Sequence, residues 1–218
     1  MKKALKFFGG AALFAASIPA FAAFVLNTNG SATQNFGSVN NGALTVSGGS
    51  GDSAIGSHSY SGGWVGADVS WTGAGTTAFT VEFLGENAGW NNEFEFAIGN
   101  SIFTNNSTDT GTTVTTSLNS GEFGFKFLAN GGSQVTVTNF TNLSNFDRRP
   151  APIFFSATED NGSLLVLWLD DSGAGPDTDF NDMGVRITAS AVPIPAALPL
   201  FMSALAGLGF AGYRRRKA

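Results

Sequence analysis

The sequence predicts an all-β protein whose main part is one β-sandwich of jelly-roll-like type, and three observations predict it. Apolar and polar residues alternate in short runs, turn-forming Gly, Asn and Ser separate those runs, and the central part carries no convincing helical period. Many short antiparallel strands at such spacing argue for two packed sheets.

The runs can be taken in order. Residues 65–71 form one candidate strand, and Phe79, Val81 and Phe83 alternate with Thr80, Glu82 and Leu84 in the next. Phe94, Phe96 and Ile98 alternate with Glu93, Glu95 and Ala97, and Phe123, Phe125 and Phe127 are spaced by Gly124 and Lys126. Val135 and Val137 alternate with Thr136 and Thr138. Two further strands are expected at 164–169 and 183–188. Asn40-Asn41-Gly42, Gly48-Gly49-Ser50-Gly51, Asn91-Asn92 and Asn130-Gly131-Gly132 supply the turns. The Phe ladders are expected to be inter-sheet core, each ring contributing about 1.5–3 kcal/mol by burial.

The ends read differently. Lys2, Lys3 and Lys6 precede an uncharged run at 7–18, then Pro19 and Ala20-Phe21-Ala22, the pattern of a signal peptide over 1–22. Twelve uncharged residues are too few to span a bilayer. Residues 196–213 carry no charge, span about 27 Å as a helix and are followed at once by Arg214, Arg215, Arg216 and Lys217, a transmembrane helix with a basic tail that stays cytoplasmic. One ectodomain over 23–189 is expected between them, with no linker long enough for two.

Charge repeats this partition. Seven of the eleven Lys and Arg lie in the two ends, so the central part keeps four cations against sixteen acids, a formal charge of −12. Phosphate binding needs a basic face, so nucleic acid is excluded as a partner. With one His and no Cys, zinc and copper sites have almost no ligands to draw on.

Val192-Pro193-Ile194-Pro195-Ala196-Ala197, the apolar span and Arg214-Arg215-Arg216-Lys217, in that order, resemble the PEP-CTERM class of bacterial sorting signals in its VPLPA variant, over residues 192–218. Ile194 stands where that variant usually has Leu. The resemblance implies a Gram-negative source and a membrane-anchored precursor. It further implies an exosortase-type membrane transpeptidase as partner, and delivery to the cell surface or extracellular matrix.

The chemistry-bearing stretch is Leu164 to Thr188, an apolar strand, an acidic loop and a second strand. Asp170, Asp171, Asp177, Asp179, Asn181 and Asp182 fall within thirteen residues. So many carboxylates repel one another unless a hard cation sits among them, and an oxygen-only ligand set suits Ca²⁺. The segment from Asp177 superficially matches an EF-hand loop but has Asp182 where Gly is required and Thr188 where Glu is required. The expected arrangement is a loop between neighbouring strands, with Asp170 or Asp171 arriving from one side and the rest from the other. Trp168 and Phe180 would shield it on the core side. The competing reading is a cluster of Asx-turns that cap backbone N–H groups without metal. A metal that binds only the folded state could partly replace the disulfides this exported chain cannot form, contributing about 2.7 kcal/mol at 100-fold saturation.

The same stretch resembles the DDxGAGPDxDFNDLVVRI ending common ahead of PEP-CTERM signals, with Met183-Gly184 where two apolar residues are usual. Upstream, Phe83-Leu84-Gly85-Glu86-Asn87-Ala88-Gly89-Trp90-Asn91-Asn92-Glu93-Phe94 is similar to a FLGxEAGYxNxF segment of those proteins. This second resemblance implies calcium affinity and surface location, not an activity.

Three further features carry weaker chemistry. Trp90 is either an exposed platform for stacking on a sugar ring, as in a carbohydrate-binding module of an extracellular polysaccharide matrix, or a plug at the end of the sandwich. Glu93 and Glu95 would be the carboxylate pair of a glycoside hydrolase, although plain alternation on a strand explains them better. His58, in a loop-like Gly/Ser setting, has no acid at triad spacing. No convincing catalytic constellation emerges, and the expectation is a structural or interaction protein rather than an enzyme.

Overall fold

The apolar run Leu164-Leu165-Val166-Leu167-Trp168-Leu169 has no polar partner face because it forms a strand buried on both sides, at the centre of the molecule. The computed structural model describes residues 22–28, 39–97, 101–129, 135–142, 144, 152–172 and 179–190. Most of the signal peptide, Asp177 and the whole 192–218 sorting signal, with Val192, Pro193, Pro195, Ala196, Arg214, Arg215 and Arg216, lie outside them.

The protein is all-β. Its strands are β1 (Phe24–Asn27), β2 (Val39–Asn40), β3 (Ala43–Gly48), β4 (Gly56–Tyr60), β5 (Trp64–Val65), β6 (Asp68–Trp71), β7 (Thr77–Gly85) and β8 (Glu93–Phe96). The second half adds β9 (Ser101–Thr104), β10 (Thr113–Leu118), β11 (Phe125–Ala129), β12 (Val135–Thr138), β13 (Ile153–Glu159), β14 (Leu164–Asp170) and β15 (Met183–Ser190). Among the described residues no helix is long and apolar enough to cross a membrane, and the span expected at 196–213 lies outside them.

A six-stranded sheet, in the order β10-β7-β15-β14-β13-β5, is the middle layer. On one face, Phe79, Val81, Phe83, Leu165, Leu167, Leu169, Val185 and Ile187 meet Phe94, Phe96, Phe103, Phe125 and Phe127 of the four-stranded sheet β12-β11-β8-β9. The expected Phe ladders are therefore core, with ring pairs such as Phe94–Phe127 at 4.9 Å and Phe125–Phe154 at 5.5 Å between centroids. On the other face, Leu84, Phe155, Val166, Trp168 and Phe180 meet Leu44, Val46 and Tyr60 of the three-stranded sheet β2-β3-β4. In β3, Leu44 and Val46 alternate with Thr45 and Ser47, but the run is short and β4 is mostly Ser and Gly, so this second core was not read from the sequence.

Some boundaries differ from the sequence reading. The 65–71 run divides at Gly66, whose φ of +80° turns the chain, so that β5 joins the central sheet while β6 pairs with β1. β8 stops at Phe96 because Ala97 is left-handed, with φ +60°.

Two buried amides just after β12 tie it to β6, β11 and β13. Asn142 Nδ2 donates to the carbonyls of Ala67 at 2.7 Å and Phe154 at 3.0 Å, while its Oδ1 accepts from Phe154 N at 2.9 Å. Asn139 likewise accepts from Phe125 N and donates to the Val69 carbonyl. We predict that Asn142→Ala, by orphaning buried backbone groups at about 1–3 kcal/mol each, lowers stability by about 3 kcal/mol or more in urea unfolding. A loss under 1 kcal/mol would show that other groups satisfy those atoms.

Candidate metal centre at the β14–β15 turn

Antiparallel pairing of β14 with β15 puts the acidic loop at one end of the central sheet, with Asp170 and Asp171 on the β14 side and Asp179, Asn181 and Asp182 on the β15 side. Asp170, Asp171, Asn181 and Asp182 are buried and Asp179 is half-buried. Asp182 Oδ2 accepts from Asp171 N at 2.7 Å, and Asp182 N donates to the Leu169 carbonyl at 3.2 Å. Asp170 Oδ1 accepts from both N and Oγ of Ser172, and Asp179 Oδ2 accepts from Asn181 Nδ2 at 2.8 Å. Of the six residues expected to hold metal, five are thus brought together, and the sixth, Asp177, lies outside the described residues.

The turn is anchored from below. Trp168 and Phe180 are fully buried in the second core, where the sequence placed them as the shield of the loop. To insert its ring there Phe180 takes a φ of +53°, an uncommon conformation for a bulky residue. Gly184 lies against the Trp168 ring, and a Cβ at that position would be 2.2 Å from it. That contact is the physical reason for glycine at position 184.

Electrostatically the cluster is strained. Burial, then the neighbouring Asp171 charge, pushes the Asp182 carboxyl up to about 8, with Asp170 and Asp179 adding to the rise and the Asp171 N–H opposing it. The described cations Lys126 and Arg186 pair elsewhere, with Glu95 and Glu82, each at 2.9 Å. The polar side chains at the turn offer hard oxygens, the kind of donor that Ca²⁺ prefers. Among the described residues no group of three or more His, Asp or Glu side chains is arranged so that it could hold a metal ion. The Ser172 N–H on Asp170 and the Asn181 N–H on Asp179 are the Asx-turns of the competing reading, and they are present.

Sequence reasoning missed the partners of this turn. Asn92 Nδ2 donates to Asp171 Oδ2 at 2.8 Å, and Asn87 N donates to the Asn181 carbonyl at 2.9 Å. Both belong to the upstream segment singled out by resemblance, but nothing in its spacing tied it to a loop about eighty residues away in sequence.

Trp90, on the same segment, is 49% exposed, so its ring is not a plug. Glu93 and Glu95 lie on the face of β8 opposite the core residues Phe94 and Phe96, as alternation predicts. His58 corrects the sequence reading: it lies on β4, not in a loop, because Val46↔His58 pairing with β3 extends that hairpin. Its ring is 5.5 Å from that of Trp168, its Nε2 meets the Ile55 carbonyl at 3.0 Å, and burial lowers its pKa.

Compared with protein-family models, curated proteins and solved structures, the chain gives no match.

Proposed function

We propose that this chain is an exported, exosortase-sorted protein of the cell surface or extracellular matrix, a jelly-roll-like sandwich with a structural calcium site, acting in structure or interaction rather than catalysis. The observation that carries it is the convergence of Asp170, Asp171, Asp179 and Asp182 at one buried turn, where the Asp182 carboxyl is pushed up to about 8. Asp177 and Asn181 complete the proposed oxygen set. Calcium held there supplies the positive charge that lets these carboxylates ionise together in a calcium-rich medium. The chain's own residues orient the turn: Phe180 and Trp168 seat it on the core, and Asn92 fixes Asp171.

A second reading, a binder of matrix polysaccharide, is favoured by the exposure of Trp90.

The sorting half is tested in a Gram-negative producer with an exosortase. The parent is expected at the surface or in the matrix, and Pro193→Ala plus Pro195→Ala in the membrane fraction. Equal distribution of the two would sink that half. The calcium half requires chelation to lower the thermal midpoint of the full-length chain.

A further inference from the structure

An open cleft of about 400 Å³ is lined by polar residues. Its walls come from three places: the β3–β4 turn with Asp52 and Ser53, Glu86 just after β7, and the loop after β9 with Asn106 and Asp109. These walls are braced by the chain itself. Ser53 Oγ donates to Glu86 Oε1 at 2.9 Å, Ala88 N donates to Glu86 Oε2 at 2.8 Å, and Thr110 N donates to the Asp52 carbonyl at 2.7 Å.

Trp90 is fixed to the same wall. Asn105, which lines the cleft, donates from Nδ2 to the Trp90 carbonyl at 2.7 Å, while Asn105 N donates to the Asn92 carbonyl and Asn92 N to Asn105 Oδ1. The backbone that presents the indole is therefore held, and the side chain stays half in water. A large exposed aromatic on a pre-organised loop that shares Asn105 with a groove of hydroxyls, amides and carboxylates matches what a sugar chain needs. The apolar ring face of a pyranose stacks on an aromatic, and its vicinal hydroxyls donate to carboxylates and amides. The volume falls within the roughly 300–1,000 Å³ of small-ligand pockets, and the open shape admits a chain passing through.

We propose that this cleft, together with the exposed Trp90 whose carbonyl Asn105 holds, binds a neutral oligosaccharide segment of a polysaccharide. This deepens, and rests on, the matrix-binding reading. Asp52 and Asp109 accept from sugar hydroxyls, Asn106 donates and accepts, and Trp90 provides the stacking surface. Glu86 already spends both carboxylate oxygens on the wall and positions it. Three acids in the lining repel uronic-acid chains, which makes neutrality part of the specificity.

The test uses the full-length chain with calcium present, on an array of neutral and uronic-acid oligosaccharides, followed by tryptophan fluorescence titration with any neutral hit. The expected result is binding to neutral members only. Trp90→Ala, and separately Asn106→Ala plus Asp109→Asn, are expected to weaken it at least about tenfold while the thermal midpoint holds. Loss in Trp90→Ala with full affinity in the Asn106 and Asp109 variant would overturn the cleft while the sugar-platform reading survives. Preference for uronic-acid chains would overturn the neutral class. No binding to any member would overturn both readings.

Discussion

Asp182→Asn is expected to raise the thermal midpoint of the chelated full-length chain at pH 8 by roughly 5–10 °C and to abolish its response to calcium. The folded carboxyl sits at about 8 against an ordinary value of 3.8, so the folded state holds this proton more tightly than the unfolded chain. Its stability contribution is fully present below about 4 and is lost as pH rises through about 8. The metal-free parent should therefore become more stable on acidification from pH 8 towards 5, by on the order of a few kcal/mol. Asparagine is a permanent mimic of the protonated acid and its amide oxygen can still accept from Asp171 N, so the variant should lose this trend. Millimolar calcium should flatten the trend in the parent, because the ion replaces the proton, and its affinity should weaken as protons compete at lower pH. Midpoints at pH 5 to 8, with EDTA and with calcium, read all of these. A parent whose midpoint is identical in EDTA and in calcium would reduce the cluster to hydrogen-bonded Asx-turns.

The second large effect is a coupling rather than a single loss. Gly184→Ala is expected to cost about 1–3 kcal/mol, since the new methyl would stand 2.2–2.5 Å from three Trp168 ring carbons and the ring fills a packed core. Trp168→Ala alone should cost about 3–5 kcal/mol. In that background Gly184→Ala should be nearly neutral, because the space it invades has been vacated. Urea unfolding of the four proteins measures the cycle. Strict additivity would mean that something other than the indole excludes a side chain at 184. Since Gly184 lies two residues from Asp182, the single Gly184→Ala variant should also blunt the calcium response.

Four of the strands that were legible in the sequence share one property: each buries one face and leaves the other more open, so hydrophobicity alternates. That pattern marks β7, β8, β11 and β12. β14 was legible for another reason, an apolar run too short for a helix and bounded by turn residues. β13 was missed although it is almost wholly buried, because Phe154 and Phe155 face different cores and leave no alternation. β10 was missed for the opposite reason: it is a Thr-rich, mostly open edge strand paired with β7, with a Thr80–Thr115 hydroxyl contact across the pair.

The acidic turn divides in the same way. Its composition and its position between two strands could be read directly, because local sequence places consecutive donors within a few residues of one another. The roles of Asn92 and Asn87 could not, since a side-chain amide that satisfies a distant group leaves no periodic trace.

The sequence by itself determined the all-β class, the Phe core, the oxygen-only chemistry of the loop and the expectation of export and sorting, since each follows from local pattern or composition. Tertiary structure alone decided that the central sheet is covered on both faces, that Asn139 and Asn142 bind the end of β12 to β6, β11 and β13, and that Trp90 stands exposed with its carbonyl held by Asn105. Those facts depend on which surfaces meet. A chain of turns and short strands specifies such meetings only through contacts between residues far apart along it.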